Sequence, residues 1–231
     1  MIKLIVGGIG SGKSLSAVKE IIHRECKTFT NFDVKHANTE RLLVDHIISD
    51  SVKRVKKSGE AVKELKVNWD FWNELVERNI NFDICLDEIH NILNSRRSMS
   101  KWNMLVGTWL SQIRKILGDS ETNHITAISQ RVSGVDIILR DLMYQITLCQ
   151  KWQGRTLIPT DIIKNGKLFN VMLPKTYVIK TVFKGEDCVQ KYEGYLMGDK
   201  SYDGRFHFLA NPYFRFYNSY QLIRFGESVY L

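Results

Sequence analysis

The sequence contains no long hydrophobic run and no paired cysteines. Its apolar start ends at Gly7, which is too short for the core of a signal peptide, and no later run approaches the roughly 20 apolar residues that span a bilayer. The four cysteines stand far apart without a CxxC pair or a metal-ligand spacing, which predicts reduced packing residues. These absences predict a cytoplasmic protein without a membrane segment.

Acidic residues are outnumbered by basic residues. The 231 residues include 33 Lys and Arg but only 25 Asp and Glu, which gives a formal net charge of +8. This balance favours a polyanionic partner, and nucleic acid, an acidic lipid surface or no such partner all stay open at this point. A hydrophobic fraction of 44% and a charged fraction of 25% are typical of globular proteins, which excludes a disordered, collagen-like or coiled-coil chain.

Strands and helices alternate along the first 150 residues, and no repeat or Pro/Gly/Ser-rich linker divides the chain. This order predicts an α/β fold in which a mainly parallel sheet is flanked by helices. Two alternating runs around a turn at residues 184–187 predict a C-terminal antiparallel β-hairpin that ends near Leu196. We therefore expect a core over residues 1–150, with a hairpin and an aromatic tail over residues 151–231 packed on the same domain. The predicted strands cover residues 3–6, 28–33, 81–87, 125–129 and 144–149, and the predicted helices start near residues 14, 40, 71, 102 and 135.

A phosphate-binding loop is predicted between the first strand and the first helix. Residues 7–14, GGIGSGKS, match the motif GxxxxGK[ST] in full, and the alternative is a glycine-rich turn with an exposed lysine. The backbone N–H groups and the helix N-terminus would surround the phosphates of ATP, Lys13 would reach the β- and γ-phosphates, and Ser14 would bind Mg²⁺. The predicted nucleotide-binding residues are Gly8, Ile9, Gly10, Ser11, Gly12, Lys13, Ser14 and Leu15.

An acidic pair follows the third predicted strand. Asp87 is expected to hold Mg²⁺ through its water ligands, and Glu88 to activate a water for attack on the γ-phosphate. The alternative for the pair is a solvated helix cap. His90 does not share a helix face with Glu88, so we expect a packed or hydrogen-bonded histidine rather than a metal ligand. The pair therefore predicts hydrolysis in addition to binding.

The order of motifs resembles the FtsK-HerA superfamily of P-loop ATPases, especially its Zot-like and viral genome-packaging members. The resemblance covers about residues 1–150 and rests on the phosphate loop, a Thr-x-Asn strand that ends at Asn31, LDEIH at 86–90, and ISQR at 128–131 followed by VD. It implies a P-loop NTPase fold of the ASCE type. It also implies that Gln130, at the tip of the fourth strand, senses the γ-phosphate, with a strand-end cap as the alternative.

The resemblance further implies a homo-oligomeric ring, expected to be a hexamer. An arginine of one subunit would complete the neighbouring site in such a ring. Arg114 is the first choice for this catalytic role and Arg140 the second, with a solvated helix charge as the alternative for Arg114.

The function implied by the resemblance is ATP-driven translocation of double-stranded DNA, in the form of a viral genome-packaging motor. Such a motor would act in the host cytoplasm or on the virion, with a capsid or portal protein as a further partner. Zot-like proteins usually carry a membrane helix beyond the ATPase part, and its absence here favours a motor without a membrane anchor. Alternatives are a Zot-like phage assembly or export ATPase, a nucleotide-switched assembly protein and a P-loop small-molecule kinase.

Two basic segments are candidates for contacts with DNA. Arg96, Arg97 and Lys101 follow the acidic pair and are predicted to grip the DNA backbone. A second basic run at residues 53–66 would contact phosphates or form a solvated helix face. The aromatic residues at 202–220 are expected to pack on the sheet or on a neighbouring subunit, with nucleic-acid stacking or a capsid dock as alternatives.

Overall fold

The protein is described by a computed structural model that covers residues 1–55, 61–93, 100–117, 123–164 and 167–217. For residues 51–55, 61–63, 114, 155–164 and 167–174 it describes the backbone alone. The strands are β1 (Ile2–Val6), β2 (Lys27–Thr30), β3 (Thr39–Arg41), β4 (Ile48–Val55), β5 (Ala61–Val67), β6 (Phe82–Leu86), β7 (Ile125–Ser129), β8 (Gln145–Lys164), β9 (Lys167–Lys184) and β10 (Gly204–Leu209). The helices are α1 (Lys13–Ile22), α2 (Val44–Ile47), α3 (Trp69–Glu77), α4 (Ile89–Ile92), α5 (Lys101–Leu117), α6 (Ile137–Asp141) and α7 (Cys188–Met197).

The main sheet has eight strands in the order β10-β9-β8-β1-β7-β6-β2-β3. The six strands from β8 to β3 run parallel, while β9 and β10 are antiparallel to their neighbours. All residues of β1, β6 and β7 are buried, as expected for parallel strands covered on both faces. The sheet confirms the predicted α/β class. Strand β7 separates β1 from β6, which is the ASCE-type order that the resemblance implied.

Two hydrophobic layers cover the two faces of the sheet. Successive residues of a strand point to opposite faces, so Leu4 and Ile5 of β1 belong to different layers. Leu4 packs in the layer of α3 and α5, where the buried rings of Trp72 and Trp109 lie 5.5 Å apart. Ile5 packs in the layer of α1, on the opposite face of the sheet from α3 and α5. This arrangement places the N-terminus of α1 directly beyond the end of β1.

A C-terminal antiparallel hairpin is present, and its strands are β8 and β9. The predicted second strand, which would follow the turn at residues 184–187 and end near Leu196, is wrong. The chain after the turn forms helix α7, because Cys188 and Tyr192 lie one helical turn apart and both are buried. Phe183 of β9 contacts the ring of Tyr192 at 5.8 Å between centroids. Gly198, with φ of 113°, ends the helix in the left-handed conformation that glycine favours.

Two further segments differ from the sequence expectations. Residues 39–41, predicted as the start of a helix, form the edge strand β3, because pairing with β2 satisfies their backbone groups. Only Val44–Ile47 is helical in that region. The described part of the basic run, residues 53–55 and 61–66, lies in the separate antiparallel pair of β4 and β5, so the helix-face interpretation is wrong for these residues, and residues 56–60 lie outside the described ranges.

Strands β8 and β9 continue well beyond the rest of the sheet. β8 pairs with β1 only as far as Leu148, and β9 pairs with β10 only from Tyr177 onward. In the part of the chain that the structure describes, residues past these points pair only between β8 and β9. Strand β8 also crosses residue 150, where the sequence predicted that the core passes into a C-terminal extension of the same domain, and that division stays a prediction. Within the described ranges, no helix is both long and apolar enough to cross a membrane.

Candidate nucleotide-binding site

The phosphate loop connects the end of β1 to the start of α1 and depends on two glycines. Gly12 has φ of 90°, and a Cβ atom at this position would come within 2.4 Å of the Val178 Cγ2 atom. A Cβ on Gly7 would meet the Cys149 carbonyl oxygen at 2.5 Å. Both distances are far below van der Waals contact, so the loop lies against β8 and β9 only because these positions lack a side chain. The conformation leaves the N-terminus of α1 open toward the pocket.

Lys13 lies along the inside of the loop. Its side chain is buried, with 7% of the residue surface exposed, and its Nζ donates to the carbonyl oxygens of Gly7 at 2.9 Å and Gly8 at 3.0 Å. An exposed lysine on a plain glycine turn would not show this burial. The ammonium group is therefore held at the centre of the loop, where anionic phosphates would bind.

Ser14 and Asp87 join the phosphate loop to the end of β6. The Ser14 Oγ donates to Asp87 Oδ2 at 2.5 Å, and the Glu88 N–H donates to Asp87 Oδ1 at 2.8 Å. Burial raises the pKa of the Asp87 carboxyl, while these two hydrogen bonds act in the opposite direction. A hydroxyl and a carboxylate oxygen side by side fit Mg²⁺, which prefers oxygen ligands and keeps several waters beside one or two carboxylates and substrate phosphates.

Asn31 fixes the backbone of Asp87 from the neighbouring strand. Its Nδ2 donates to the Asp87 carbonyl oxygen at 2.8 Å, and its Oδ1 accepts from the Asp87 N–H at 2.7 Å. Only 1% of the Asn31 surface is exposed. The sequence resemblance included Asn31 as a motif residue, but this positioning role was missed. The available signal was a polar side chain directly after a buried strand.

Glu88 occupies a sharp turn between β6 and α4. Its φ of 51° lies in the left-handed region that non-glycine residues seldom adopt, and strain of this kind clusters at functional sites. Its Oε2 lies 3.2 Å from His90 Nε2, and His90 Nδ1 lies 3.3 Å from the Ser129 hydroxyl. His90 is thus hydrogen-bonded, as predicted. The Glu88 carboxylate therefore lies beside the His90 ring of α4, and Glu88 lines the pocket.

Gln130 reaches the same pocket because the parallel strands end at the same level. The register pairs Val6 of β1 with Ser129 of β7, so the residues that follow, Gly7 and Gln130, emerge side by side. Gln130 is exposed and lines the pocket together with Lys13, Ser14, Asp87 and Glu88. The structure therefore brings together residues that the sequence separates by more than a hundred positions.

A match to one protein family shows to which family the chain belongs. The zonular occludens toxin (Zot) family matches residues 1–162. This chain belongs to the Zot family. The match covers the phosphate loop, the acidic pair and Gln130, and it confirms the resemblance to Zot-like P-loop ATPases. A comparison with curated protein sequences gave no match.

Solved structures show similar chains. The N-terminal domain of zonular occludens toxin from Neisseria meningitidis is 18% identical, with a TM-score of 0.49, over 94% of this chain and 98% of that chain. The genome packaging NTPase B204 from Sulfolobus turreted icosahedral virus 2, in complex with ATP-gammaS, is 11% identical, with a TM-score of 0.33, over 64% and 74%. EssC (ATPases 2 and 3) from Geobacillus thermodenitrificans is 14% identical, with a TM-score of 0.35, over 64% and 31%.

The pocket of this Zot family chain has a volume of about 570 Å³. Sequence reasoning identified the side that consists of the phosphate loop, the acidic pair and Gln130. It missed the lining that comes from α4, β8, β9 and the chain beyond β10, which carries no local motif. The residues that were missed are Asn91, Lys151, Thr176, Val178, Phe214 and Tyr217.

Residues 211–217 form an aromatic strap that crosses the site. At one end Asn211 Oδ1 accepts from the Thr176 N–H of β9 at 2.9 Å. At the other end the Lys35 N–H donates to the Phe216 carbonyl oxygen at 2.9 Å, and Tyr217 forms a β-bridge with Val34. The strap therefore spans from β9 to the segment that follows β2, across the layer of α1.

The predicted catalytic arginine lies away from this pocket within the subunit. Arg114 lies one turn before the end of α5 at Leu117. The Leu117 carbonyl accepts from Asn123 Nδ2 at 3.1 Å, and the Asn123 carbonyl accepts from the N-terminal amine of Met1 at 3.3 Å. These contacts place that end of α5 at the edge of the sheet where β1 begins, opposite the phosphate loop. Arg140, the second choice, lies in α6. A role of Arg114 in a neighbouring site stays a prediction.

The predicted DNA-contacting residues follow α4. Lys101 is exposed at the first position of α5. The indole of the adjacent Trp102 donates to the carbonyl oxygen of Ile92 at 3.0 Å, and Ile92 follows Glu88 by four residues in sequence. Arg96 and Arg97 lie outside the described residues. The DNA contacts of all three remain predictions.

Proposed function

We propose that this Zot family chain hydrolyses ATP in the pocket between the phosphate loop and the aromatic strap. The observation that carries the proposal is the contact of Ser14 with Asp87, beside Glu88 and Gln130 on one pocket wall. A hydroxyl, two carboxylates and an amide at the end of parallel strands provide the groups that phosphoryl transfer to water requires.

The phosphate loop binds and orients the nucleotide. The N–H groups at the start of α1 contact the phosphate oxygens, and Lys13 exchanges its bonds to the Gly7 and Gly8 carbonyls for bonds to the β- and γ-phosphates. Ser14 and Asp87 would hold Mg²⁺, which would neutralise charge on the β- and γ-phosphates. Asn31 keeps the Asp87 backbone in place during this exchange.

Glu88 and Gln130 act on the attacking water. The Glu88 carboxylate accepts a proton from the water while the water oxygen bonds to the γ-phosphorus. The bond between the γ-phosphorus and the β–γ bridging oxygen breaks at the same time, which releases ADP. His90 is placed to orient the carboxylate, because its Nε2 lies 3.2 Å from Glu88 Oε2 and its Nδ1 lies 3.3 Å from the Ser129 hydroxyl. Gln130 donates to a γ-phosphate oxygen and accepts from the water, as an amide can do both.

We further propose that hydrolysis drives the movement of double-stranded DNA through a homo-oligomeric ring, expected to be hexameric. The net charge of +8 supports a polyanionic partner. In such a ring Arg114 would complete the site of a neighbour, and Arg96, Arg97 and Lys101 would contact the DNA backbone. The motor would act in the host cytoplasm or on a virion, against a capsid or portal protein.

The family match favours a second candidate, a phage assembly or export ATPase. Its profile covers residues 1–162, which contain every proposed catalytic group. The two candidates share the hydrolytic site and differ in what the released energy moves. A nucleotide-switched assembly protein would use the same pocket with slow turnover.

ATP turnover with Mg²⁺, measured with and without long duplex DNA, separates these functions. Turnover that rises with duplex DNA supports the DNA motor, whereas turnover that ignores DNA supports assembly or export. If ADP forms only when a phosphoryl acceptor is added, hydrolysis is refuted and the chain is a kinase. Lys13→Ala, assayed in parallel, shows the level of contaminating activity.

A further inference from the structure

The aromatic strap divides its rings between the core and the pocket. Tyr213 packs edge-to-face against Phe208 at 5.6 Å and His23 at 6.0 Å between ring centroids. Tyr217 packs edge-to-face against the buried Phe32 at 5.7 Å and also lines the pocket. Phe214 lines the pocket as well, yet 50% of its surface is exposed. A half-exposed phenyl ring beside a phosphate-binding loop is the feature that the hydrolytic mechanism does not use.

The pocket residues near Phe214 lie directly beside the phosphate loop. Val178 of β9 lies so close to Gly12 that no side chain fits between them, and Thr176, two residues earlier, lines the same pocket. Leu15 adds a third apolar surface one residue after Ser14. The pocket therefore has a polar end at the phosphate loop and, next to it, an end with aliphatic and aromatic surface.

The strap holds Phe214 in position from both sides. The Tyr217 N–H donates to the Phe214 carbonyl oxygen at 3.4 Å. At the strap ends, the Asn211 side chain accepts from the Thr176 N–H and the Phe216 carbonyl accepts from the Lys35 N–H, both at 2.9 Å. A ring fixed in this way loses little freedom when a ligand stacks on it.

We propose that Phe214 stacks on the nucleotide base, so that the aromatic strap and β9 form a base subsite next to the phosphate loop. The inference rests on the proposed nucleotide-binding function and adds the residue that recognises the base. A nucleoside triphosphate has a charged end and a flat apolar end, which matches the two ends of the pocket. Stacking uses the face of the base, so the subsite favours nucleotides over bare polyphosphate and discriminates weakly among purines.

The test compares ATP with inorganic tripolyphosphate, which carries the phosphates without base or ribose. Equilibrium binding with Mg²⁺ is measured for the unmodified chain, Phe214→Ala and Phe214→Leu. We expect ATP to bind the unmodified chain more tightly than tripolyphosphate, and Phe214→Ala to weaken ATP by about tenfold while leaving tripolyphosphate unchanged. Phe214→Leu keeps an apolar side chain in the strap and should show the same selective loss to a smaller degree.

Phe206→Ala is the matched control. Phe206 is 60% exposed on β10 and does not line the pocket, so its removal should leave the affinity for both ligands unchanged. Equal weakening of ATP and tripolyphosphate by both Phe214 variants would mean that the ring only supports the fold, and would overturn the inference. Equal affinity of the unmodified chain for the two ligands would also overturn it but leave the phosphate loop in place. If neither ligand binds, the proposed function itself fails.

Discussion

Asn31 and Asp87 are joined by two hydrogen bonds, of 2.7 Å and 2.8 Å, between the Asn31 side-chain amide and the backbone N–H and carbonyl of Asp87. The amide thus replaces the partners that a continuing β-ladder would give to Asp87. Since β2 and β6 are adjacent, the end of one strand fixes the end of the other at the point where the proposed metal ligand leaves the sheet.

Asn31→Ala should therefore lower both stability and activity. It leaves two buried backbone groups without partners, at a cost of about 1–3 kcal/mol in the free energy of unfolding. Urea denaturation and ATP turnover measure the two effects. Asn38→Ala, at an exposed position, serves as the control. A variant as stable and as active as the unmodified chain would show that the amide does not position Asp87.

Lys13→Ala should lose nucleotide binding and turnover together. The ammonium group is buried at the centre of the loop and contacts the Gly7 carbonyl, whereas Lys151, which also lines the pocket, lies on β8. Because the contact with phosphate exists before and during the reaction, its loss affects binding as well as catalysis. Titration with a labelled nucleotide measures the binding. Retained affinity would contradict the assignment of the loop.

Glu88→Gln should keep nucleotide binding and lose turnover by a factor of about 10² or more. The amide has nearly the shape of the carboxylate but does not accept the proton of the attacking water. Affinity and single-turnover rates measured on the same preparation separate the two steps. Glu77→Gln, on the exposed side of α3, is the matched control. Hydrolysis at the normal rate would refute the role of Glu88 as a base.

Reversal of charge at Arg96 and Arg97 should reduce the ratio of DNA-stimulated to basal turnover toward one. The physical reason is the loss of attraction to the DNA backbone, which is independent of sequence and weakens with salt. The ratio is measured at several salt concentrations with long duplex DNA. Lys200→Glu, in the exposed segment after α7, tests whether any loss of positive charge has this effect. A ratio that stays unchanged in the Arg96 and Arg97 variant would contradict the proposed contact.

Acid should destabilise the fold through Glu20 of α1. Burial alone would raise the pKa of this carboxyl, but contacts with Lys3 of β1 and Lys180 of β9 lower it from 4.5 to about 2. A carboxylate with a lowered pKa stabilises the fold above the pKa of its unfolded state, and this stability is lost as the pH falls from about 5 toward 2. The contribution is about 2 kcal/mol after allowance for partial exposure.

Glu20→Gln should consequently lower stability at pH 7 and have a much smaller effect at about pH 2, where the folded-state carboxyl is itself being protonated. Urea denaturation at both values measures the difference. Glu25→Gln, at an exposed neighbouring position, should show no such change with pH. An equal effect of Glu20→Gln at the two pH values would show that the ion pairs do not stabilise the fold.

The sequence predicted the phosphate-loop side of the site because each residue there follows a buried strand. Residues 7–14, Asp87 and Gln130 all come directly after apolar runs, and parallel strands bring such positions to one edge. Short motifs of this kind are recognisable because the strand before them is visible in the sequence. The family match over residues 1–162 includes all of these positions.

The strap side of the site was not predictable because its contacts join distant segments without a local pattern. Lys35 and Phe216 are separated by about 180 positions, and the rings around residue 214 fit a core, an interface or a ligand site equally well. Residues 188–197 show a related failure. Their pattern fits a strand as well as a helix, and only the burial of Tyr192 against Phe183 decides between them.

The continuation of β8 and β9 beyond the sheet starts beside the candidate nucleotide pocket. Lys151 and Thr176 line that pocket, and from Gln153 to Lys164 the two strands pair over about 40 Å, at roughly 3.3 Å per residue. If this paired segment turned as a rigid body, a rotation of about 5° at its base would move the far end by about 3.5 Å, close to the rise of roughly 3.4 Å per base pair of DNA. A small rotation at the pocket would thus give, at the far end of β8 and β9, a displacement of about one base pair of DNA.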